Sequence, residues 1–297
     1  MTDFLVAVFD GLALGAVYAL IALGFTVIYR ASQVINFAQG AFLLLAAYLV
    51  AWLHVDKGIP FLPTVALAIV LMTGVGVLFQ TGVLRWVQGQ QVFTVVMMTI
   101  GLNVVISTVV TAVFPNDRDI GDPFGSSTVD IGSATLLWIR IWSIIIALAI
   151  LVAFFVADRR TRYGLAMRAS ALDEEAALAV GIPTRRISAI AWGLAGAIAV
   201  VGGIFLAGFP NTASPVVAAS AFRAYPAIIL GGLGSPTGAV VGGFSIGIVE
   251  YLTETYQPEH AAFLGTNFYL IAPYLVMIAV LMVRPYGLFG DRPAERV

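Results

Sequence analysis

The sequence predicts an all-α protein that spans a membrane several times, and three observations support this fold class. Of its 297 residues, 60% are hydrophobic and only 10% are charged, whereas a soluble domain carries roughly 25% charged residues. The mean hydropathy is +0.99. Apolar stretches of about 20 residues, the length that a helix needs to cross the hydrocarbon core, recur along the chain. We therefore expect a polytopic transmembrane helix bundle in the lipid bilayer, formed as a single domain over residues 1–297.

Nine apolar segments are candidate spans. They are 4–29, 34–53, 60–80, 92–114, 137–157, 187–208, 216–231, 236–253 and 266–284. The segment 216–231 is short and contains Arg223 and Pro226, so it is either a tilted span or a re-entrant piece. The first segment follows Asp3, contains Asp10 and has no basic region before it, so we expect a retained helix rather than a cleaved signal peptide.

Arginines predict the orientation of the bundle. The connection before the sixth span and the C-terminal tail hold most of them: Arg159, Arg160, Arg162, Arg168, Arg185 and Arg186, then Arg284, Arg292 and Arg296. The positive-inside rule places both segments in the cytoplasm, which requires an even number of spans between them. Counting 216–231 as a span meets this requirement and gives about nine crossings with the N-terminus outside. A re-entrant 216–231 would leave eight.

Glycines recur every fourth residue at two places. Gly11 and Gly15 do so in the first span, and Gly234, Gly238 and Gly242 do so at the start of another. Small residues at this spacing let helix backbones approach closely in lipid. We expect tight packing at these stripes, and the alternative is a surface along which helices slide during transport.

The stretch DEEAALAVGIPTRR, which runs from Asp173 to Arg186, is the most polar part of the chain and predicts a short cytoplasmic helix over about 171–181. We expect Ser170 to be its N-cap. Three carboxylates lie in its first turns, where the helix dipole favours negative charge: Asp173, Glu174 and Glu175. Gly181 is suited to the left-handed position that follows a helix.

One face of this short helix gathers small and apolar residues at helical spacing, namely Leu172, Ala176, Ala179 and Val180. An isolated helix of this length is marginal in water, so we expect the face to pack against something. It either packs on the ends of its own chain's spans as an ordinary connector, or it docks into a groove on a partner protein. In the second case small alanines such as Ala176 and Ala177 allow close approach, and the carboxylates contact basic groups of the partner.

Several stretches resemble one family of membrane proteins. EAALAVG, from Glu175 to Gly181, resembles the EAA loop of ABC-importer permeases, although ISAIAWGLAGA stands where that loop continues as I-x-L-P. Three longer stretches and the C-terminal RPYGLFG resemble its branched-chain amino acid branch, the LivH-type permeases: GLALGAVYALIALGFTVIYRASQVINFAQGAF, AVGIPTRRISAIAWGLAGAIAVVGGIFLAG and RAYPAIILGGLGSPTGAVVGGFSIGIVE. The resemblance covers nearly the whole chain. One departure is Gln39-Gly40-Ala41, where the family often has His-Gly-Glu.

This resemblance implies a type II importer fold in the cell membrane (inner or plasma membrane). It implies that the segment around 173–180 is a coupling helix that binds a cytoplasmic ATPase, through Asp173, Glu174, Glu175, Ala176, Ala177 and Gly181. The implied partners are a second permease subunit (a copy or a homologue), two ATPase subunits and an external solute-binding protein. Branched-chain amino acids are the default substrates of the family, and close relatives carry amides, urea or aromatic acids.

Four polar side chains lie at depth in the predicted spans. Asn36 and Gln39 are near the start of the second span, and Thr99 and Asn103 are inside the fourth. They either join helices by hydrogen bonds or line a path, where they would offer neutral hydrogen bonds to a polar solute.

An ion-coupled secondary transporter, which acts without an ATPase, is the alternative function. Such carriers place titratable groups inside the membrane. The candidates here are Asp10, Arg223 and Glu250, which we expect near span ends, where long side chains reach the interface.

The composition excludes several kinds of chemistry. Lys57 is the only lysine, so the chain has no Walker A motif, and ATP with Mg²⁺ would be bound by partner subunits. There are no cysteines, and the two histidines, His54 and His260, lie in different loops. We therefore predict no catalytic residue, metal site or cofactor in this chain. No basic tail or aromatic-basic patch predicts nucleic-acid binding.

Overall fold

The computed structural model describes residues 2–86, 91–125, 127–131, 134–208 and 212–290. The α-helices in this part of the chain are α1 (Thr2–Ser32), α2 (Gln39–Ala51), α3 (Phe61–Gly82), α4 (Val92–Val113), α5 (Trp138–Arg160), α6 (Arg162–Leu172), α7 (Glu174–Ala179), α8 (Thr184–Ala207), α9 (Val216–Ala221), α10 (Tyr225–Gly231), α11 (Pro236–His260) and α12 (Ala272–Val283). A π-helix, Trp52–Asp56, continues α2, and 3₁₀ turns occur at Leu84–Trp86, Phe222–Ala224, Ala262–Leu264 and Phe268–Leu270. Arg292 and Arg296, on which the orientation prediction draws, lie outside the described residues.

Six described helices are long and apolar enough to cross a membrane, and they confirm six of the nine predicted spans. They are Phe4–Ser32, Gln39–Asp56, Phe61–Trp86, Val92–Val113, Trp138–Arg160 and Thr184–Ala207. The α11 helix, with 25 residues, has the length but is not among the six, because its glycines and carboxylates lower its hydropathy. Val216–Gly231 and Phe268–Val283 are shorter apolar helices.

The segment 216–231, predicted as a tilted span or a re-entrant piece, is a broken helix. Its two helical parts, α9 and α10, are separated by the 3₁₀ turn Phe222–Ala224. Pro226 lies in the first turn of α10, a position where its missing N–H removes no helical hydrogen bond. At about 1.5 Å per residue, neither part by itself approaches the roughly 30 Å of the hydrocarbon core.

Short strands are a feature that the all-α prediction did not contain. The strand β1 (Arg118–Asp119) pairs antiparallel with β4 (Thr212–Ala213). The strands β2 (Thr128–Ile131) and β3 (Ala134–Leu137) pair antiparallel with each other. All four lie in connections between helices, and strands of two to four residues are too short to give a periodic signal in a sequence.

The described chain divides into two compact units, and each is made of separate stretches. The first unit takes the described residues within 1–26, 124–151 and 223–297, and the second takes those within 27–123 and 152–222. The boundaries fall inside α1 and α5, so each of these helices contributes to both units. The single domain over 1–297 stays a prediction.

In the first unit, glycines let helices pack backbone to backbone. A Cβ added to Gly15 would lie 2.7 Å from the Cα of Phe244, and one added to Gly11 would be 2.9 Å from the backbone of α11. Gly238 and Gly242 bring α11 equally close to α10. Close backbone approach increases dispersion contacts, which drive helix association in lipid. The tight packing predicted for these stripes is confirmed at Gly11, Gly15, Gly238 and Gly242, whereas Gly234 lies before the start of α11.

In the second unit, α8 is the central helix. It packs on α3 at Gly76 and Gly196, where any side chain would collide with the backbone of the opposite helix. Trp192 is fully buried, with its ring centroid 5.2 Å from that of Phe79 and 6.2 Å from that of Phe42. This aromatic cluster and the glycine contacts fix α2, α3 and α8 against one another.

Candidate functional site

The charged segment predicted to be cytoplasmic forms α7, a helix of six residues. It is shorter than the predicted 171–181 because α6 takes the preceding residues. Ser170 lies inside α6 and is buried, so the N-cap predicted there is wrong. The N-cap is Asp173, which has an extended backbone and accepts a hydrogen bond from the backbone N–H of Ala176 at 3.0 Å. The carboxylate thereby satisfies a free N–H of the first turn and complements the helix dipole.

Gly181 ends α7 in the left-handed conformation, as predicted, with φ +83°. Its N–H donates to the carbonyl of Leu178 at 2.9 Å, and the N–H of Ile182 donates to the carbonyl of Ala177 at 2.9 Å. These two bonds form a Schellman motif, which satisfies carbonyls that the end of a helix otherwise leaves unpaired. Caps at both ends therefore hold a helix that is too short to be stable by itself.

The apolar face of this segment is exposed. Leu172 is 86% exposed and Val180 is 76% exposed, and Ala176 and Ala179 are exposed as well. The prediction that all four share one helix face is wrong for Leu172, because it ends α6 and the extended Asp173 separates it from α7. The buried residue of α7 is Ala177, at 3%. The described parts of the chain's own spans therefore do not cover the face that the sequence predicted to pack.

A shared carboxylate anchors α6, the helix that leads into α7. Asp158, at the end of α5, pairs with Arg30 of α1 at 3.2 Å and with Arg168 of α6 at 3.0 Å. The side chains of Arg30 and Asp158 are each 10% exposed, so this pairing is shielded from solvent. Sequence reasoning used Arg168 only as an orientation signal and missed Asp158, which is separated from Arg30 by 128 positions.

Three of the four predicted path residues come together at the connection between α1 and α2. The Nδ2 of Asn36 donates to the Oε1 of Gln39 at 3.3 Å, and the hydroxyl of Thr99 accepts from the N–H of Phe37 at 3.2 Å. Asn36, Gln39 and Thr99 are fully buried. No hydrogen bond within the described residues joins Asn103 to them.

Two polar atoms of this predicted path have no hydrogen-bond partner within the described structure. They are the Nε2 of Gln39 and the Oδ1 of Asn103, and both atoms are buried. A buried amide group without a partner costs about 1–3 kcal/mol, so an arrangement that keeps it needs an explanation. A polar solute or water that passes this point would supply the missing partners.

The first unit contains a buried ionic cluster that sequence reasoning did not find. Glu250 is 1% exposed; its Oε2 accepts from the hydroxyl of Tyr18 at 2.8 Å, and its Oε1 accepts from Arg223 at 3.1 Å. Glu250 lies ten residues before the end of α11 at His260, and its position relative to a span end stays a prediction.

A second buried carboxylate lies on the same pair of helices. Asp10 is 6% exposed; it pairs with Arg140 and accepts a hydrogen bond from the hydroxyl of Tyr251 at 2.8 Å. Arg140 also donates to that hydroxyl at 3.1 Å. The charge of Asp10 is therefore neutralised inside the protein, and its position relative to a span end stays a prediction.

The geometry and the helices together define a multi-pass helical membrane protein with a capped, exposed segment between two long helices. A family model described as "Branched-chain amino acid transport system / permease component" matches residues 7–281. The chain belongs to this family of permease components, as its motifs predicted.

Named relatives agree with this assignment. The high-affinity branched-chain amino acid transport system permease protein LivH of Escherichia coli (strain K12) is 30% identical over 317 residues, which cover 99% of this chain and 98% of the relative. BraD of Pseudomonas aeruginosa, a permease protein of the same description, is 25% identical over 97% of this chain and 96% of its own length. A probable LivH of Methanocaldococcus jannaschii is 28% identical over 91% of this chain and 88% of its own. No solved structure matches the chain.

Proposed function

We propose that this chain is the membrane-spanning permease subunit of an ATP-driven importer and that it carries branched-chain amino acids across the membrane by alternating access. The names of its relatives support the substrate class. The observation that carries the coupling mechanism is the exposed apolar surface of α7 and its flanks, which includes Leu172 at the end of α6 and Val180 at the C-cap of α7. A capped, rigid segment with an uncovered surface is suited to docking.

The energy source has to be another protein. With Lys57 as its only lysine, the chain cannot form the phosphate-binding P-loop. Two cytoplasmic ATPase subunits would bind ATP and Mg²⁺ and would dock on α7, where Glu174 and Glu175 are exposed. Closure of the ATPase pair would then move α7 and shift the permease between its outward-open and inward-open states.

The other partners act at the membrane and outside it. A second permease chain, either a copy or a homologue, would complete the pathway, and an external solute-binding protein would deliver the amino acid. The α4 helix supports a further membrane-embedded contact, because most of its residues are not buried within this chain. Lipid or a second permease would cover the rest.

The path residues would act by neutral hydrogen bonding. Gln39 has a donor without a partner, and Asn103 has an acceptor without one, so the two could contact the carboxylate and the ammonium group of an amino acid, respectively. Thr99 and Asn36 would hold the connection between α1 and α2 in place around that passage.

An ion-coupled secondary transporter is the second candidate, and the buried Glu250 is the observation that favours it, because intramembrane carboxylates are frequent proton relays. Both oxygens of Glu250 are already engaged, by Tyr18 and by Arg223. A carboxylate held in this way joins helices rather than exchanging protons, so we favour the ATP-driven importer.

Reconstitution tests the proposal directly. Vesicles that contain the chain with its ATPase and solute-binding partners should accumulate branched-chain amino acids only when ATP is present. Uptake by the chain alone along an imposed ion gradient would support the carrier instead.

A charge reversal tests the docking surface. Glu175→Lys should reduce co-purification of the ATPase, because it reverses a charge on the proposed contact face, and Glu259→Lys serves as the matched control. Glu259 is also an exposed glutamate, but it lies near the end of α11. Equal ATPase recovery with both variants would contradict docking at α7.

A further inference from the structure

A cavity of 720 Å³ lies beside α7 in the second unit. Its wall is built from the end of α1 and the residues that follow it, the 3₁₀ turn before α4, the start of α4, and the connection from α7 to α8. Pockets for small molecules have volumes of roughly 300–1,000 Å³. The cavity is therefore large enough for a small metabolite.

Charges of both signs contribute to the cavity wall. Glu174 and Glu175 come from α7, and Arg185 and Arg186 come from the first turn of α8. All four side chains are exposed, and none forms an ion pair with another described residue. Separated and unneutralised charges of opposite sign favour a ligand that carries both an ammonium group and a carboxylate.

Part of the remaining wall is apolar and buried. Val34, Leu84 and Val95 are at most 7% exposed and line the cavity. Thr184 also lines it and is 4% exposed, and its side chain makes no hydrogen bond with any described residue. The cavity thus combines an apolar surface with a free, nearly buried hydroxyl.

We propose that this cavity binds an aliphatic α-amino acid from the cytoplasmic side. The ligand's ammonium group would lie toward the two glutamates and its carboxylate toward the two arginines and Thr184. Its hydrocarbon side chain would cover Val34 and Val95. A phosphate ligand would be repelled by the glutamates, and a purely apolar ligand would leave all four charges unused.

This binding site would regulate transport, an inference that rests on the proposed function because its ligand is the transported solute. The α7 helix is at once part of the cavity wall and the proposed ATPase contact. A ligand that prefers one position of α7 changes the affinity of α7 for its partner by the same coupling free energy. Cytoplasmic amino acid would therefore slow its own import.

The absence of cysteine allows a direct binding test. Val92→Cys places a single thiol of this chain in the cavity wall, at a residue that is 63% exposed. The assembled complex in detergent is treated with a water-soluble maleimide, and the rate of modification is measured by the increase in mass of this chain. If the site binds L-leucine with a Kd of about 1 mM, about 10 mM L-leucine occupies roughly nine-tenths of the sites and should slow the labelling reaction about tenfold. The same concentration of 3-methylbutylamine, which lacks the carboxylate, or of 4-methylpentanoate, which lacks the ammonium group, should not protect the thiol.

Tyr163→Cys is the control, because Tyr163 is 59% exposed on α6 and lies outside both the cavity wall and the proposed ATPase contact. Its labelling rate should be independent of leucine. Absence of leucine protection at Val92→Cys, equal protection by all three compounds, or equal protection of Tyr163→Cys would each overturn the binding site. Protection by the ATPase alone, without leucine, would assign the cavity to the partner protein instead.

Regulation is tested in vesicles that are preloaded with leucine on the cytoplasmic side. Within each variant, the initial rate of ATP-dependent uptake with internal leucine is divided by the rate without it. This ratio should be low for the wild type and should return toward one for Val92→Trp, because the tryptophan fills the cavity. Val109→Trp is the matched control, since it alters an exposed position of α4 outside the cavity, and its ratio should be as low as that of the wild type. Equal ratios in Val92→Trp and the wild type would overturn the regulation, because leucine would then act through the transport path. Failure of the proposed function would give a different result. Neither the wild type nor any variant would show ATP-dependent uptake, while the labelling result would be unaffected.

Discussion

Replacement of Gly181 by valine should uncouple transport from ATP hydrolysis. Gly181 has φ +83°, and a Cβ added there meets no atom within 4 Å. The substitution therefore acts through the backbone rather than through a clash. A side chain in the left-handed region costs roughly 1–2 kcal/mol, which lowers the ratio of capped to uncapped α7 by a factor of about 5–30. Little else can compensate in a helix of six residues.

The assay is the amount of solute imported per ATP hydrolysed by the reconstituted complex. For Gly181→Val this ratio should fall by at most about 5–30-fold, because the fraction of capped α7 cannot fall by more than the capped-to-uncapped ratio does. Membrane insertion and yield should be unchanged, because α7 is too short and too charged to be a span. Gly181→Asn is the matched control, because asparagine tolerates the left-handed conformation, and its ratio should be close to that of the wild type.

Two results would refute this reasoning. One is normal coupling in Gly181→Val, which would mean that the conformation of α7 is irrelevant to energy transfer. The other is equal uncoupling in the asparagine and valine variants, which would mean that the glycine is required for a partner contact and not for its φ angle.

Three further predictions concern the interior. Arg223→Met should lower the apparent melting temperature in detergent more than Glu250→Gln does, because removing one partner of a buried pair costs about 3–5 kcal/mol and Glu250, unlike Arg223, cannot reach solvent. Gly15→Val should destabilise the protein by about 1–3 kcal/mol through overpacking, whereas Gly74→Val, where a Cβ meets nothing, should leave the melting temperature nearly unchanged. Gln39→Leu should change stability little, since it removes one unpaired buried donor but leaves the Nδ2 of Asn36 without its acceptor, yet it should lower the rate of uptake; an unchanged rate would remove Gln39 from the path.

Local chemistry made several features readable from the sequence. Runs of apolar residues identified six spans, because the cost of burying a polar backbone in lipid leaves a helix as the only solution for such a segment. The glycine at position 181 predicted the left-handed conformation found there, since glycine adopts φ > 0 without strain. The family motifs spread along the chain identified the permease family, which the match over residues 7–281 confirms.

Other features depend on partners that are distant along the chain. The start of α7 was misassigned because both Ser170 and Asp173 are good caps, and only the extent of α6 decides between them. Whether the face of α7 is covered could not be read from its own residues, because the answer depends on where every other span end lies.

The sequence by itself determined which segments are helices in a membrane and where the polar segment ends, because hydrophobicity and backbone preference are properties of neighbouring residues. Only the tertiary structure decided that Glu250 is buried and paired, since its partner Tyr18 is 232 positions away. It also decided that the amide of Gln39 has no partner and that charges of opposite sign surround one cavity beside α7. Such pairings arise from packing between helices, and no local pattern records them.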